Sequence, residues 1–168
     1  MATLSRVRVI LSGFAEEKRL AGLDSPLHAT GTLRYVAPAY LEKRIEHPVE
    51  ETVQVDGDRL RYARPADGVD RIVGLDDAPE LRGLVEAVRG TLAGDLPALQ
   101  RHYHVAYADA DPGWQLTLTP RDARVAALVG RMRIDGQGAA LRVVETVEAN
   151  GDVSTMTLDP GMEILPRP

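Results

Sequence analysis

Glu51-Thr52-Val53-Gln54-Val55-Asp56-Gly57-Asp58-Arg59-Leu60-Arg61-Tyr62-Ala63 reads as two alternating segments joined by a turn. Asp-Gly favours positive φ at both central positions of a tight hairpin turn. Alternation on either side puts Val53, Val55, Leu60 and Tyr62 on one face of an antiparallel pair. The same pattern extends outward in both directions. Asn150-Gly151 joins residues 141–147 to residues 153–158, and Asp135-Gly136 is a third such dipeptide, following Arg131-Met132-Arg133-Ile134. Asp111-Pro112-Gly113 marks a break before Trp114-Gln115-Leu116-Thr117-Leu118. Upstream, residues 32–36 run to Pro38 and residues 41–45 run to Pro48. Residues 4–11 form a short apolar stretch that fits either a frayed helix or the lead-in to a strand. The expected sheet is a meander with one apolar and one wet face, curved by strand twist.

The middle of the chain has a different period. Between residues 79 and 92, apolar side chains fall at Leu81, Leu84, Val85, Val88 and Leu92, the spacing of an amphipathic helix. Gly90 and Gly94 weaken its end. Asp95 is a natural N-cap for a second short helix that has Pro97 in its first turn and Leu96, Leu99 and Tyr103 on its apolar side. One helix face then needs a surface to bury against, and the apolar face of the sheet supplies it. The expected fold is mainly β with a helical lid (α+β), with eight to eleven strands and helices on the concave side. A chain of 168 residues fits one domain, 1–168.

Composition narrows the function classes. A net charge of −5 argues against a nucleic-acid binder, which needs a basic face. With no cysteine, the chain has no disulfide, zinc-thiolate site or thiol nucleophile. No stretch approaches the roughly 20 apolar residues of a membrane-spanning helix. Arg6 and Arg8 interrupt the first apolar run, so residues 1–11 do not read as a signal peptide. This leaves a cytoplasmic protein or one whose signal has been removed.

Few residues suggest chemistry. No glycine-rich phosphate loop, dinucleotide fingerprint or nucleophile elbow occurs. His102 and His104 would share a face in a strand, but no third ligand is spaced to complete a metal site. Glu16-Glu17 and Glu50-Glu51 are adjacent pairs, and neighbours in a strand point to opposite faces, which defeats paired acid–base work. The expectation is a protein that is not an enzyme, with no catalytic residues, no metal and no cofactor.

Several runs occur in a telling order: Phe14-Ala15-Glu16-Glu17-Lys18, Pro26-Leu27, Gly31-Thr32-Leu33-Arg34-Tyr35, Pro38, Leu41-Glu42-Lys43 and Pro48-Val49-Glu50. Downstream come Val55-Asp56-Gly57-Asp58 with Leu60, the Gly94-Asp95 break, Trp114-Gln115-Leu116-Thr117-Leu118-Thr119-Pro120 and Asn150-Gly151-Asp152. From about residue 4 to 160 the chain resembles the LolA-like family, relatives of the outer-membrane lipoprotein carrier. The resemblance implies an unclosed β-barrel with an apolar concave face under a helical lid. It implies an acyl cargo, a periplasmic location after signal removal, and inner-membrane donor and outer-membrane acceptor proteins as partners. In the lipoprotein carrier an arginine before the proline latches the lid; here that position is Ala37, and Lys43 replaces an aromatic residue. The Leu-Glu-Lys form looks more like the LolA-related proteins of aryl polyene and xanthomonadin gene clusters.

Alternation selects the cavity candidates: Leu33, Tyr35, Leu41, Lys43, Ile45, Val53, Val55, Leu60, Tyr62, Leu116, Leu118, Met132, Ile134, Leu141 and Val143 on the sheet. Leu81, Leu84, Val85 and Val88 would line the lid. Lys43 is expected to point toward the apolar face, where its ammonium must meet a glutamate, a ligand anion or the rim. The expected function is a periplasmic carrier of an acylated lipid, lipoprotein or polyene-lipid cargo toward the outer membrane. Two alternatives stand beside it: a lipid-sensing or interaction module of the envelope, and a cofactor-free pigment-biosynthesis enzyme, since fold alone does not settle function.

Overall fold

The structure, a computed structural model, describes residues 9–159 and, for backbone only, 163–165. Its first strand is long: β1 (Val9–Arg19) carries the apolar stretch onward through Phe14 to the charged residues that follow. Strand therefore wins over helix from Val9, and residues 4–8 of that stretch lie outside the described residues. Five further strands follow as a meander: β2 (Leu27–Val36), β3 (Tyr40–His47), β4 (Glu51–Asp56), β5 (Arg59–Arg64) and β6 (Val69–Gly74). Helices α1 (Pro79–Ala93) and α2 (Leu96–His102) interrupt the sheet. β7 (Tyr103–Ala110), β8 (Gly113–Pro120), the short α3 (Ala123–Ala126), β9 (Val129–Gln137), β10 (Ala140–Glu148), β11 (Val153–Leu158) and β12 (Glu163–Leu165) complete the chain.

The strands form one antiparallel sheet in the order β6-β5-β4-β3-β2-β1-β11-β10-β9-β8-β7. Its two ends do not pair, so the barrel stays open. β1 is the central seam, flanked by β2 on one side and β11 on the other, with β12 continuing that second side opposite Val9–Leu11. Joining the first and last parts of the chain at one strand lets the two meanders curve toward each other around the helices.

Two glycines explain local departures from simple hairpin grammar. Asp135-Gly136, read from sequence as a turn, lies inside β9, and the reversal comes at Gly138, whose φ is 59°. Gly136 is there for close approach: a Cβ would lie 2.1 Å from the Trp114 ring, which crosses it from β8. Gly31 plays the same part between β2 and β3, where a Cβ would lie 1.8 Å from the Arg44 carbonyl oxygen.

α1 begins with Pro79 at its first turn and stops at Gly94, whose left-handed conformation closes the end. α2 starts at Asp95, whose carboxylate accepts the Ala98 N–H at 3.0 Å. Between the helices and the sheet sits one buried cluster that includes Ile10, Phe14, Leu33, Tyr35, Leu92, Leu99, Tyr103, Leu116, Leu118 and Ile134.

Candidate ligand-binding cavity

Strand register arranges the inner face of β2–β6 in rows. Tyr35, Leu41, Val55, Leu60 and Val73 are cross-strand neighbours, and so, one pleat further out, are Leu33, Lys43, Val53, Tyr62 and Arg71. The first row is largely core. The second is open enough at Val53, Tyr62 and Arg71 to leave space above it. Residues from both rows and from one face of α1 line a cavity of about 590 Å³, within the range of roughly 300–1,000 Å³ in which proteins hold single small ligands.

The cavity brings together Leu33, Leu41, Lys43, Val53, Val55, Leu60, Tyr62, Leu81, Leu84, Val85, Val88 and Met132 of the residues expected from sequence. Leu81, Leu84 and Val88 are only half-buried, so they face the space rather than fill it. Seven other candidates do not reach it. Tyr35, Leu116, Leu118, Ile134 and Leu141 are all within 1% of complete burial and belong to the packed core. Ile45 packs at the edge of that core, one row beyond the cavity. Val143 is on the wrong face. Between Leu141 and Val143 the register with β9 shifts by one residue, and this bulge passes the inner face to Val144.

Residues that sequence reasoning missed are Glu16, Lys18, Arg71, Val73, Val144, Thr146, Glu148, Ser154 and Met156. Even-numbered residues of β1 face inward, from Ile10 through Ser12 and Phe14 to Glu16 and Lys18. The signal was the parity itself: the apolar alternation continues as charge. β6 was harder to read, because Ile72 interrupts its alternation and is 61% exposed on the other face.

The cavity therefore has an apolar interior and a charged rim. Lys43 Nζ donates to Glu16 at 2.7 Å and lies 5.3 Å from the centre of the Phe14 ring. Lys18 Nζ donates to Glu148 at 2.8 Å, and this hydrogen bond holds the Lys18 ammonium protonated to higher pH than usual. Glu17 turns outward and pairs with Arg19 at 2.8 Å, so the Glu16-Glu17 carboxylates face apart. Glu50 likewise meets Arg44, while Glu51 lies near Arg64. Glu42 accepts hydrogen bonds from Tyr40 and Gln54 at 2.7 and 2.8 Å; desolvation opposes these bonds, yet its carboxyl stays below the usual range. His102 ends α2 while His104 lies in β7, and no group of three or more potential metal ligands occurs among the described residues.

α1 is fastened at both ends. Arg89, nearly buried, donates to the carbonyl oxygens of Ala39 at 3.1 Å and Gly57 at 2.7 Å and pairs with Glu86. Arg82 reaches Asp58 at 3.0 Å and Asp76 at 2.8 Å. Thus an arginine of the helix itself holds the β2–β3 and β4–β5 turns, and position 37 is a plain alanine packed against the core. On the opposite side of α1, the Tyr103 hydroxyl donates to the Gly83 carbonyl at 2.6 Å. Burial of that phenol pushes its pKa up.

An open antiparallel sheet wrapped over a helical lid, with an apolar cavity between them, defines an unclosed half-barrel. The chain belongs to the family described as outer membrane lipoprotein carrier protein LolA-like, which matches residues 1–162. A LolA superfamily protein from Nitrosomonas europaea shares the fold with a TM-score of 0.51 at 13% identity, over 99% of this chain and 92% of that one. A domain from Vibrio parahaemolyticus that is named for outer membrane lipoprotein sorting gives 0.52 at 8% identity, over 97% of this chain and 89% of that one. A DUF1329 family protein from Desulfovibrio piger gives 0.51 at 10% identity, over 97% and 88%. A search of the curated proteins finds no sequence match.

Proposed function

We propose that this protein is a periplasmic carrier that takes an acyl or polyene chain into the cavity between the sheet and α1 and moves it toward the outer membrane. The observation that carries this reading is the unfilled apolar space itself, roofed by half-buried Leu81, Leu84 and Val88. Membership of the lipoprotein-carrier family and the lipoprotein-sorting name of the Vibrio relative support it. No helix among the described residues is long and apolar enough to cross a membrane. Hydrocarbon entering the space gains roughly 0.8 kcal/mol per buried CH₂, enough to hold a lipid through water. Release then needs α1 to move, and its hold on the turns through Arg82 and Arg89 is polar and therefore breakable. The reading includes no catalytic step, and donor and acceptor proteins at the two membranes are its expected partners.

Native mass spectrometry of protein prepared from periplasm, followed by organic extraction, tests the reading. One bound acyl or polyene species per chain is expected. An apo mass that persists after incubation with phospholipid, acylated peptide and a polyene carboxylic acid would overturn it.

A further inference from the structure

The charges around the cavity do not cancel. Lys43 is matched by Glu16 and Lys18 by Glu148, each at 2.8 Å or less. Arg71 also lines the space, yet it has no carboxylate partner among the described residues. Its neighbour Asp70 turns to the outer face, where both of its oxygens are taken by Arg61 at 2.9 and 2.6 Å. Arg71 stands on β6, the open edge of the sheet, directly across from Tyr62 and in the same row as Lys43. A guanidinium offers a planar fork of donors that suits a carboxylate or a phosphate. One surplus cation therefore sits at the lip of an otherwise charge-compensated apolar trough.

Size limits what such a cation can hold in place. If each non-hydrogen atom takes about 30 Å³, the share of one liquid water, a cavity of about 590 Å³ accepts roughly 20 such atoms. That corresponds to one chain of roughly 16 carbons with a small head group.

We infer that the cargo is a single-chain amphiphile with one anionic head group, its chain lying under α1 and its carboxylate or phosphate held by Arg71 at the rim. Lys43 is a second, masked cation: it is engaged by Glu16 and takes part only where that pair opens. This inference rests on the cavity being a cargo site, and the experiment separates the two.

Parinaric acid, which fluoresces when its chain leaves water, is titrated beside its methyl ester, which has the same chain and no charge. The wild type should bind both, the acid about tenfold more tightly, as a charge-assisted hydrogen bond provides. Arg71→Gln should bring the acid down to the ester's affinity, and exposure of Arg71 keeps that substitution clear of the core. Glu16→Gln frees Lys43 and should raise the preference for the acid. Displacement by hexadecanoate and by hexadecyl phosphate then tells which head group fits better, and hexadecanol should displace less well than either. Equal binding of acid and ester, an unchanged preference in Arg71→Gln, or equally good displacement by a two-chain phosphatidate would overturn the inference. If neither acid nor ester binds, the carrier reading falls as well.

Discussion

The two halves of the sheet have similar inner faces and opposite fates. On β2–β6 the second inner row and one face of α1 stand apart and leave a cavity, which β1 and β9–β11 complete. On β7–β9 the corresponding side chains, Leu116, Leu118 and Ile134, are completely buried together with Leu92 of α1, Leu99 of α2 and Val125 of α3. An apolar alternating strand becomes a binding surface or a core according to what the helices place over it. The helices are asymmetric because small residues let them approach on one side: a Cβ on Gly83 would lie 2.5 Å from Val125, and one on Gly90 would lie 3.0 Å from Leu99. The opposite face of α1 carries Leu81, Leu84 and Val88, which hold it away from the sheet.

Truncation in the filled half should be the most damaging change. Leu118→Ala is expected to cost about 2–5 kcal/mol, read as a lower denaturation midpoint with an unchanged m-value. Gly83→Ala attacks the asymmetry directly by forcing α1 away from α3, and should cost about 1–3 kcal/mol through overpacking.

How much of this asymmetry was legible in the sequence varies by element. The lid face was fully readable, because the 3.6-residue period of Leu81, Leu84, Val85 and Val88 survives in any helix. The paired strands from Leu33 to Tyr62 were readable by parity. Parity alone said nothing about which half is covered, so Leu116, Leu118, Ile134 and Leu141 looked the same as Val53 and Leu60. Val143 failed for another reason: the β-bulge at residue 142 resets the phase and leaves no mark in composition. Tyr103, expected on the apolar side of the second helix, opens β7 instead; Asp95 and Pro97 mark where that helix starts, and nothing in the sequence marks its end at His102. Asp135-Gly136 misled because glycine serves equally for a turn and for a ring lying against the backbone.

Arg89→Met sharpens the comparison on the open side. It removes two bonds to the carbonyls of Ala39 and Gly57 and leaves Glu86 with less charge opposite it. A stability loss of about 1–3 kcal/mol is expected, with faster release of parinaric acid in stopped-flow dilution. Leu84→Ala should do the reverse of Leu118→Ala: a stability change within about 1 kcal/mol and a clear loss of ligand affinity by titration.

The smallest effect concerns pH. Asp122 accepts hydrogen bonds from the Arg124 side chain and N–H, which hold its carboxyl down to about 2 at the start of α3. A depressed carboxyl contributes stability above its unfolded pKa, which is lost as pH falls through the folded one. A slight drop in Tm between about pH 4 and pH 2 is expected, and Asp122→Asn should lack it.

The difference between the halves can be read in one spectrum. With methyl-labelled protein and one equivalent of stearic acid, intermolecular NOEs from the chain methylenes should reach the methyls of Leu33, Val53 and Leu84, which line the cavity, and not those of Leu116, Leu118 and Ile134, which lie in the filled core. Cross-peaks to both sets of methyls alike, or to neither, would contradict a cavity that leaves the Leu116, Leu118 and Ile134 core filled.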